Sequence, residues 1–210
     1  MTPTPIARRA VSSREALRER LLRAVAATGR PSSDYDLNPD TLPPNRKLRE
    51  AGVLVPIALE ARGPRLYLTK RSSGLKHHPG QIAFPGGKRD EGDTTVTDTA
   101  LREAWEEIAL PPENVEVLGC LPEHETITSF RITPVVGLLR GPFQPRSEPG
   151  EVEEIFSVPL DLVTTPARFS IERRRWRGEW RHFYTVPHGP YYIWGATARM
   201  LRALADRMGP

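Results

Sequence analysis

Arg102-Glu103-Ala104-Trp105-Glu106-Glu107-Ile108 carries three carboxylates at helical spacing. Positions i, i+3 and i+4 of a helix share a face, so Glu103, Glu106 and Glu107 stand together on one side. Leu101, Ala104, Trp105 and Ile108 fall on the opposite side and form the predicted buried stripe. Three like charges this close repel one another, and a cation between them removes the repulsion. Oxygen-only donors select hard divalent ions, Mg²⁺ first and Mn²⁺ next. The competing reading is a solvated helix face paired with arginines, and the residues upstream separate the two.

Phe84-Pro85-Gly86-Gly87-Lys88 ends an apolar stretch, and Asp90 and Asp93 follow it. A glycine pair lets the backbone take positive φ and lets a ligand approach closely. Its amides and carbonyls can then face a pyrophosphate or a metal. With these residues in place the chain resembles the Nudix hydrolase family. The family signature runs Gly, five residues, Glu, seven residues, then Arg-Glu-apolar-x-Glu-Glu-x-Gly-apolar. Gly87 takes the first place, Asp93 the place of the Glu, and Arg102, Glu103, Ala104, Glu106, Glu107 and Leu110 fill the rest. Asp93 replaces Glu, eight residues rather than seven separate it from Arg102, and Ala109 replaces the final Gly.

A second motif narrows the resemblance. Leu68-Thr69-Lys70-Arg71-Ser72, Lys76, Gly80 and Phe84-Pro85-Gly86-Gly87 are similar to the extra motif of the coenzyme A pyrophosphatase branch. Tyr67 stands where that motif has its first Leu, and Lys76 where it has its second Arg. The Arg-to-Lys change keeps the charge and loses the bidentate fork. Ile132–Gly137, Glu151-Val152 and Ile193–Thr197 also look familiar in that branch, so the likeness covers roughly residues 50 to 205.

The resemblance implies an α/β chain with the Nudix fold: an α/β/α sandwich with a mixed sheet and a central catalytic loop-helix. It implies Glu103 and Glu107 as metal ligands, Glu106 as ligand of a second ion, and the Gly87 carbonyl as a further donor, with Mg²⁺ or Mn²⁺ as cofactor. The general base stays open between Glu106 and Glu151, and Arg102 orients a glutamate of its own helix. Lys70, Arg71 and Lys76, with the Gly86-Gly87 loop, are the candidate substrate contacts. The implied reaction is hydrolysis of coenzyme A or its derivatives to 3′,5′-ADP and 4′-phosphopantetheine. One rival is a Nudix hydrolase of another nucleoside diphosphate derivative such as ADP-ribose. The other is a non-catalytic nucleotide-binding module of the same fold. A homodimer is a family-level expectation.

Composition bounds the remainder. A chain of 210 residues has room for one core and little for two. Net charge is +4, from 30 basic and 26 acidic residues, which suits an anionic small-molecule substrate without demanding nucleic acid. No run of apolar residues is long enough for a membrane span, and Met1–Ala10 lacks the apolar core of a signal peptide. The single cysteine, Cys120, suits a reducing cytoplasm and sits in an apolar stretch that reads as core. His77-His78 sits in a loop with Lys76 and lacks partners at metal-ligand spacing.

Ser12 to Thr28 reads as an amphipathic helix, capped by Ser12 or Ser13 and ended by Gly29, with Leu17, Leu21, Leu22 and Val25 as its stripe. Pro31, Pro39, Pro43 and Pro44 mark residues 30–46 as a linker. This divides the chain into residues 1–46, helix and linker, and residues 47–210, the Nudix domain. Val53–Glu60, Arg65–Lys70, Asn114–Leu121, Ile132–Arg140 and Glu154–Val158 read as strands. A hairpin around Gly178 and a closing helix over Ala196–Met208 follow. The Arg173-Arg174-Arg175-Trp176-Arg177 run reads as an exposed hairpin arm, and Trp105 and Trp194 as packing residues.

Overall fold

The computed structural model describes residues 5–176 and 178–209, with side chains from residue 13 onward. In chain order the elements are α1 (Pro5–Ala26), β1 (Ser32–Ser33), β2 (Arg49–Glu60), β3 (Gly63–Arg71), β4 (Ile82–Ala83), β5 (Gly86–Lys88) and α2 (Val96–Ile108). Then come β6 (Val115–Cys120), β7 (His124–Glu125), β8 (Phe130–Leu139), β9 (Val152–Pro159), α3 (Leu160–Val163), β10 (Ser170–Trp176), β11 (Glu179–Thr185) and α4 (Gly195–Met208). Arg177, the last residue of the arginine run, lies outside the described residues.

The mixed sheet is built on β2 and β8, which run parallel from Arg49↔Phe130 to Ile57↔Leu138. β3 pairs antiparallel with β2 on one side and with β9 on the other. Ala51 to Ala58 of β2 are all buried, as expected of a central strand covered on both faces. Alternation sorts that strand between two cores. Val53, Val55 and Ile57 pack with Leu17 and Leu21 of α1 and Leu201 and Leu204 of α4. Leu54 and Ala58 pack with Ala100, Ala104 and Ile108 of α2. Each fully buried Leu or Ile here contributes about 1.5–3 kcal/mol. The result is helix, sheet, helix, with α2 alone on its face.

Three expectations need correction. α1 begins at Pro5 and ends at Ala26, so Ser12 and Ser13 lie inside the helix rather than capping it, and Gly29 falls beyond its end. Trp105 is 49% exposed. The buried stripe of α2 is Ala100-Ala104-Ile108, and Trp105 sits a hundred degrees round from Ala104, on the outer side. Cys120 is exposed as well. A register shift between Val117 and Gly119 breaks the alternation of β6. Leu118 packs on the α1 side, Gly119 lies against Val25 on the same side, and Cys120 turns outward.

The segment of residues 30–46 wraps onto the body. Ser32, Tyr35 and Asn38 are buried, and β1 pairs parallel with β7. His124, fully buried, holds Ser32 Oγ at 2.9 Å through Nδ1 and Asp34 Oδ1 at 3.1 Å through Nε2.

Candidate active site

Thr95 starts α2 with a capping box: its Oγ1 accepts from the Asp98 amide at 3.2 Å, and Asp98 Oδ2 accepts from the Thr95 amide at 2.8 Å. Just before it, Asp93 is buried and takes four hydrogen bonds. Arg102 donates from Nε at 3.0 Å and from one Nη at 2.9 Å, Thr99 Oγ1 donates at 2.9 Å and the Asp90 amide at 3.0 Å. The Arg102 bonds, above all, hold the Asp93 carboxyl well below the usual range. The other Arg102 Nη donates to Glu103 at 2.9 Å and to Glu106 at 3.1 Å. Arg102 therefore ties the loop to the helix and orients two of the box glutamates.

The Gly-Gly loop meets the helix at its glutamates. The Gly86 amide donates to Glu107 Oε2 at 3.1 Å, from a backbone at φ 156 that favours glycine. At Gly87 a Cβ would stand 2.4 Å from Glu103 Oε1, so a side chain there would push the carboxylate from this position. Glu107 is 4% exposed. Burial first, then the charges of Glu103 and Glu151, push its pKa up to about 8 against the pull of the Gly86 amide and Arg71. Glu103 is also raised, by burial first and then by Glu106 and Glu151, with Arg102 opposing.

Glu151 reaches this cluster from the loop between β8 and β9. The loop after β8 satisfies the open carbonyls at the end of α2, with the Arg146 amide on Ile108 O at 3.2 Å and the Glu148 amide on Glu107 O at 3.1 Å. The Glu151 carbonyl then accepts from the Ser72 amide at 2.8 Å, joining this loop to the end of β3. Four carboxylates thus share one field, and Glu151 and Glu106 are its exposed members.

The three basic candidates differ in placement. Arg71 lies beside Glu107, and its Nε is buried with no hydrogen-bond partner among the described residues. Lys70 is held by Glu153 at 2.6 Å, which also accepts from the Ser73 amide at 3.2 Å. Lys76 is exposed in the loop between β3 and β4. Trp194 packs edge-on against Phe183, with ring centroids 5.1 Å apart.

The donor chemistry fits a divalent cation. Glu103 and Glu107 are oxygen donors withdrawn from water, with too few hydrogen bonds to offset their burial. A divalent ion supplies the missing charge. Among the described residues no three acidic, His or Cys side chains already converge as a ligand set; Glu103 is turned to Arg102 and Glu107 to Gly86. An ion held by these two carboxylates would take the place of those hydrogen bonds.

The sandwich, the glycine loop and the glutamate helix together define a Nudix-type fold and site. The NUDIX domain model matches residues 48–178, and the chain belongs to that family. It is 42% identical over 170 residues to a protein of Pectobacterium atrosepticum described as "Uncharacterized Nudix hydrolase NudL", covering 80% of this chain and 86% of the relative. A NudL of Citrobacter koseri is 40% identical over 161 residues, covering 77% and 83%. A solved MutT/nudix family protein from Enterococcus faecalis aligns with TM-score 0.49 at 16% identity, covering 79% of this chain and 64% of that one. Nudix hydrolases cleave pyrophosphate bonds of nucleoside diphosphate derivatives and generally use divalent metals such as Mg²⁺ or Mn²⁺. No described helix is long and apolar enough to cross a membrane.

Two features of the site escaped the sequence. One is the completeness of the Asp93–Thr99–Arg102 clamp, for which the only signal was an Asp at the Glu position. The other is Gly52, whose missing side chain lets β2 approach Val96 O and the start of α2; a Cβ there would meet that oxygen at 2.2 Å.

Proposed function

We propose that this chain hydrolyses coenzyme A or a derivative of it, in a Mg²⁺- or Mn²⁺-dependent reaction, to 3′,5′-ADP and 4′-phosphopantetheine. The observation that carries the reading is Arg71. It belongs to the Leu68-to-Gly80 motif, it lies beside Glu107, and its Nε is a buried donor awaiting an acceptor. An unmet buried donor costs about 1–3 kcal/mol, and a phosphate oxygen would satisfy it with a charge-assisted bond.

Glu103 and Glu107 would hold the principal metal, with Glu106 serving a second ion. Bound divalent ions supply charge neutralisation at phosphate oxygens and activation of water. The chain's own part is positional. The Gly86-Gly87 loop fixes Glu107 and leaves room for Glu103. Arg102 keeps Glu103 and Glu106 on one side of the helix. Glu151, exposed and close to buried Glu107 and half-buried Glu103, is the candidate acceptor of the water proton, with Glu106 as the alternative. Water adds to one phosphorus, the bridging P–O bond breaks, and each product leaves as a phosphate monoester.

The test is a substrate panel with Mg²⁺ and with Mn²⁺, read by product mass. Coenzyme A should exceed ADP-ribose in kcat/KM by at least about tenfold, the worth of one charge-assisted phosphate contact. ADP-ribose turned over faster than coenzyme A would reject this substrate and leave Nudix hydrolysis in place.

A further inference from the structure

The loop between β3 and β4 contains a histidine pair, His77-His78, that the metal site does not use. The root of the loop is tightly closed: the Arg71 amide donates to Gln81 O at 2.9 Å, the Gly80 amide to Arg71 O at 3.1 Å, and the Gln81 amide to His78 O at 3.3 Å. Inside that closure His78 has φ 56. A non-glycine residue in the left-handed region costs roughly 1–2 kcal/mol, and such residues gather at ligand clamps. Gly80, two positions on, takes the same kind of backbone at φ 69 without that cost.

The His78 side chain has a defined neighbourhood. His78 is exposed, yet Arg71, His77, Gln81 and Asp34 all act on its ring. Partial withdrawal from water, then the positive charges of Arg71 and His77, hold its pKa below the usual value, against Gln81 and Asp34. That balance disfavours the imidazolium, and the ring is engaged by a hydrogen bond to the Gln81 side chain. Asp34 is itself fixed, by His124 at 3.1 Å and by the Ile127 amide at 2.9 Å. On the other side stands Arg71, with its unmet buried Nε. Arg71 thus acts on both the His78 ring and Glu107.

We infer that His78 is a phosphate-contacting residue of the substrate cleft, closing with Arg71 over the anionic group of a nucleoside diphosphate derivative. This deepens the proposed hydrolase reading and rests on it. An anion between the two side chains satisfies Arg71 Nε, and its charge favours the protonated imidazole, so the contact strengthens as substrate binds.

The experiment compares His78→Gly, His78→Asn and wild type. Glycine accepts the left-handed backbone, so His78→Gly keeps the loop and deletes only the side chain. Asparagine tolerates that backbone as well and retains an amide donor. With Mg²⁺, and whichever of coenzyme A and ADP-ribose wild type hydrolyses faster, His78→Gly should raise KM about tenfold and leave kcat within about twofold. His78→Asn should recover part of the loss. ADP binding measured by calorimetry in EDTA should weaken in parallel. An unchanged KM and ADP affinity in His78→Gly would overturn the inference, as would a fall in kcat at unchanged KM. A preference for ADP-ribose would defeat the coenzyme A reading while leaving His78 to be judged on ADP-ribose.

Discussion

Two arginines neighbour the glutamates of α2, and they are opposites. Arg102 is saturated: it makes two bonds to Asp93 and one each to Glu103 and Glu106. Arg71, whose charge acts on Glu107, keeps a buried Nε with no hydrogen-bond partner among the described residues. A guanidinium whose donors are all met holds the protein together. Arg181 and Arg207 also carry a buried Nε with no partner among the described residues; at Arg71 that donor adjoins the glutamates, where a ligand could meet it. Arg71 and Arg102 both stand in recognisable motifs, so the motifs alone do not divide their labour. The hydrogen-bond inventory does.

Breaking the saturated side should cost stability. Asp93→Asn removes the charge that takes both Arg102 donors, and the Asp93 side chain is only 7% exposed. Loss of these charged hydrogen bonds should lower unfolding free energy by about 1.5–3 kcal/mol, measured by urea denaturation at pH 7. Because the folded-state pKa of Asp93 is depressed, its stabilisation is present above the unfolded value of about 3.9 and drains away as pH falls through the folded value. The gap between wild type and variant should therefore be full at neutral pH and narrow in acid. A constant gap down to pH 3 would contradict this role.

The unsatisfied side should respond in the other currency. Arg71→Ala should lose less than about 1 kcal/mol of stability while kcat/KM for coenzyme A falls about tenfold to a hundredfold. A variant that unfolds easily but turns over normally would place Arg71 with Arg102.

Glu107 sharpens the contrast between stability and activity. Its folded pKa is raised to about 8, so its contribution to stability is full below the unfolded value of about 4.3 and is lost as pH rises towards 8. In EDTA at pH 8, Glu107→Gln should melt higher than wild type, by about 2–4 °C for each kcal/mol of relieved burial. The difference should vanish near pH 4.

The smallest effect belongs to the end of α2. Ala109 closes the helix at φ 55, ψ 35, where the family pattern has glycine. Ala109→Gly relieves the left-handed strain and returns some chain entropy to the unfolded state, for a net gain of about 0.5 kcal/mol. Calorimetric melting checks it.

The loop-helix was legible because carboxylates at helical spacing and a glycine pair at a set distance leave few alternatives. The same helix misled at Trp105, since apolar character gave no angle of rotation. The sheet contact runs through Ala100, Ala104 and Ile108, and the inward edge of that stripe is occupied by Glu107, a charged residue. Cys120 was misjudged because a bulge leaves little trace in composition. The two short strands β4 and β5 carry no strand pattern of their own, since their pairing is decided by β3 and β2 rather than by propensity. The distinction between Lys70, paired with Glu153, and Arg71, turned to Glu107, needed coordinates.

The central claim is that Glu107 holds the metal on which pyrophosphate cleavage depends. Its most direct test is coenzyme A hydrolysis by wild type and Glu107→Gln, with Mg²⁺ raised to saturation and products identified by mass. Wild type should yield 3′,5′-ADP and 4′-phosphopantetheine, stop in EDTA and resume with Mg²⁺ or Mn²⁺, while folded Glu107→Gln should be slower by at least about 10²-fold. Near wild-type turnover by Glu107→Gln at saturating Mg²⁺ would contradict the account.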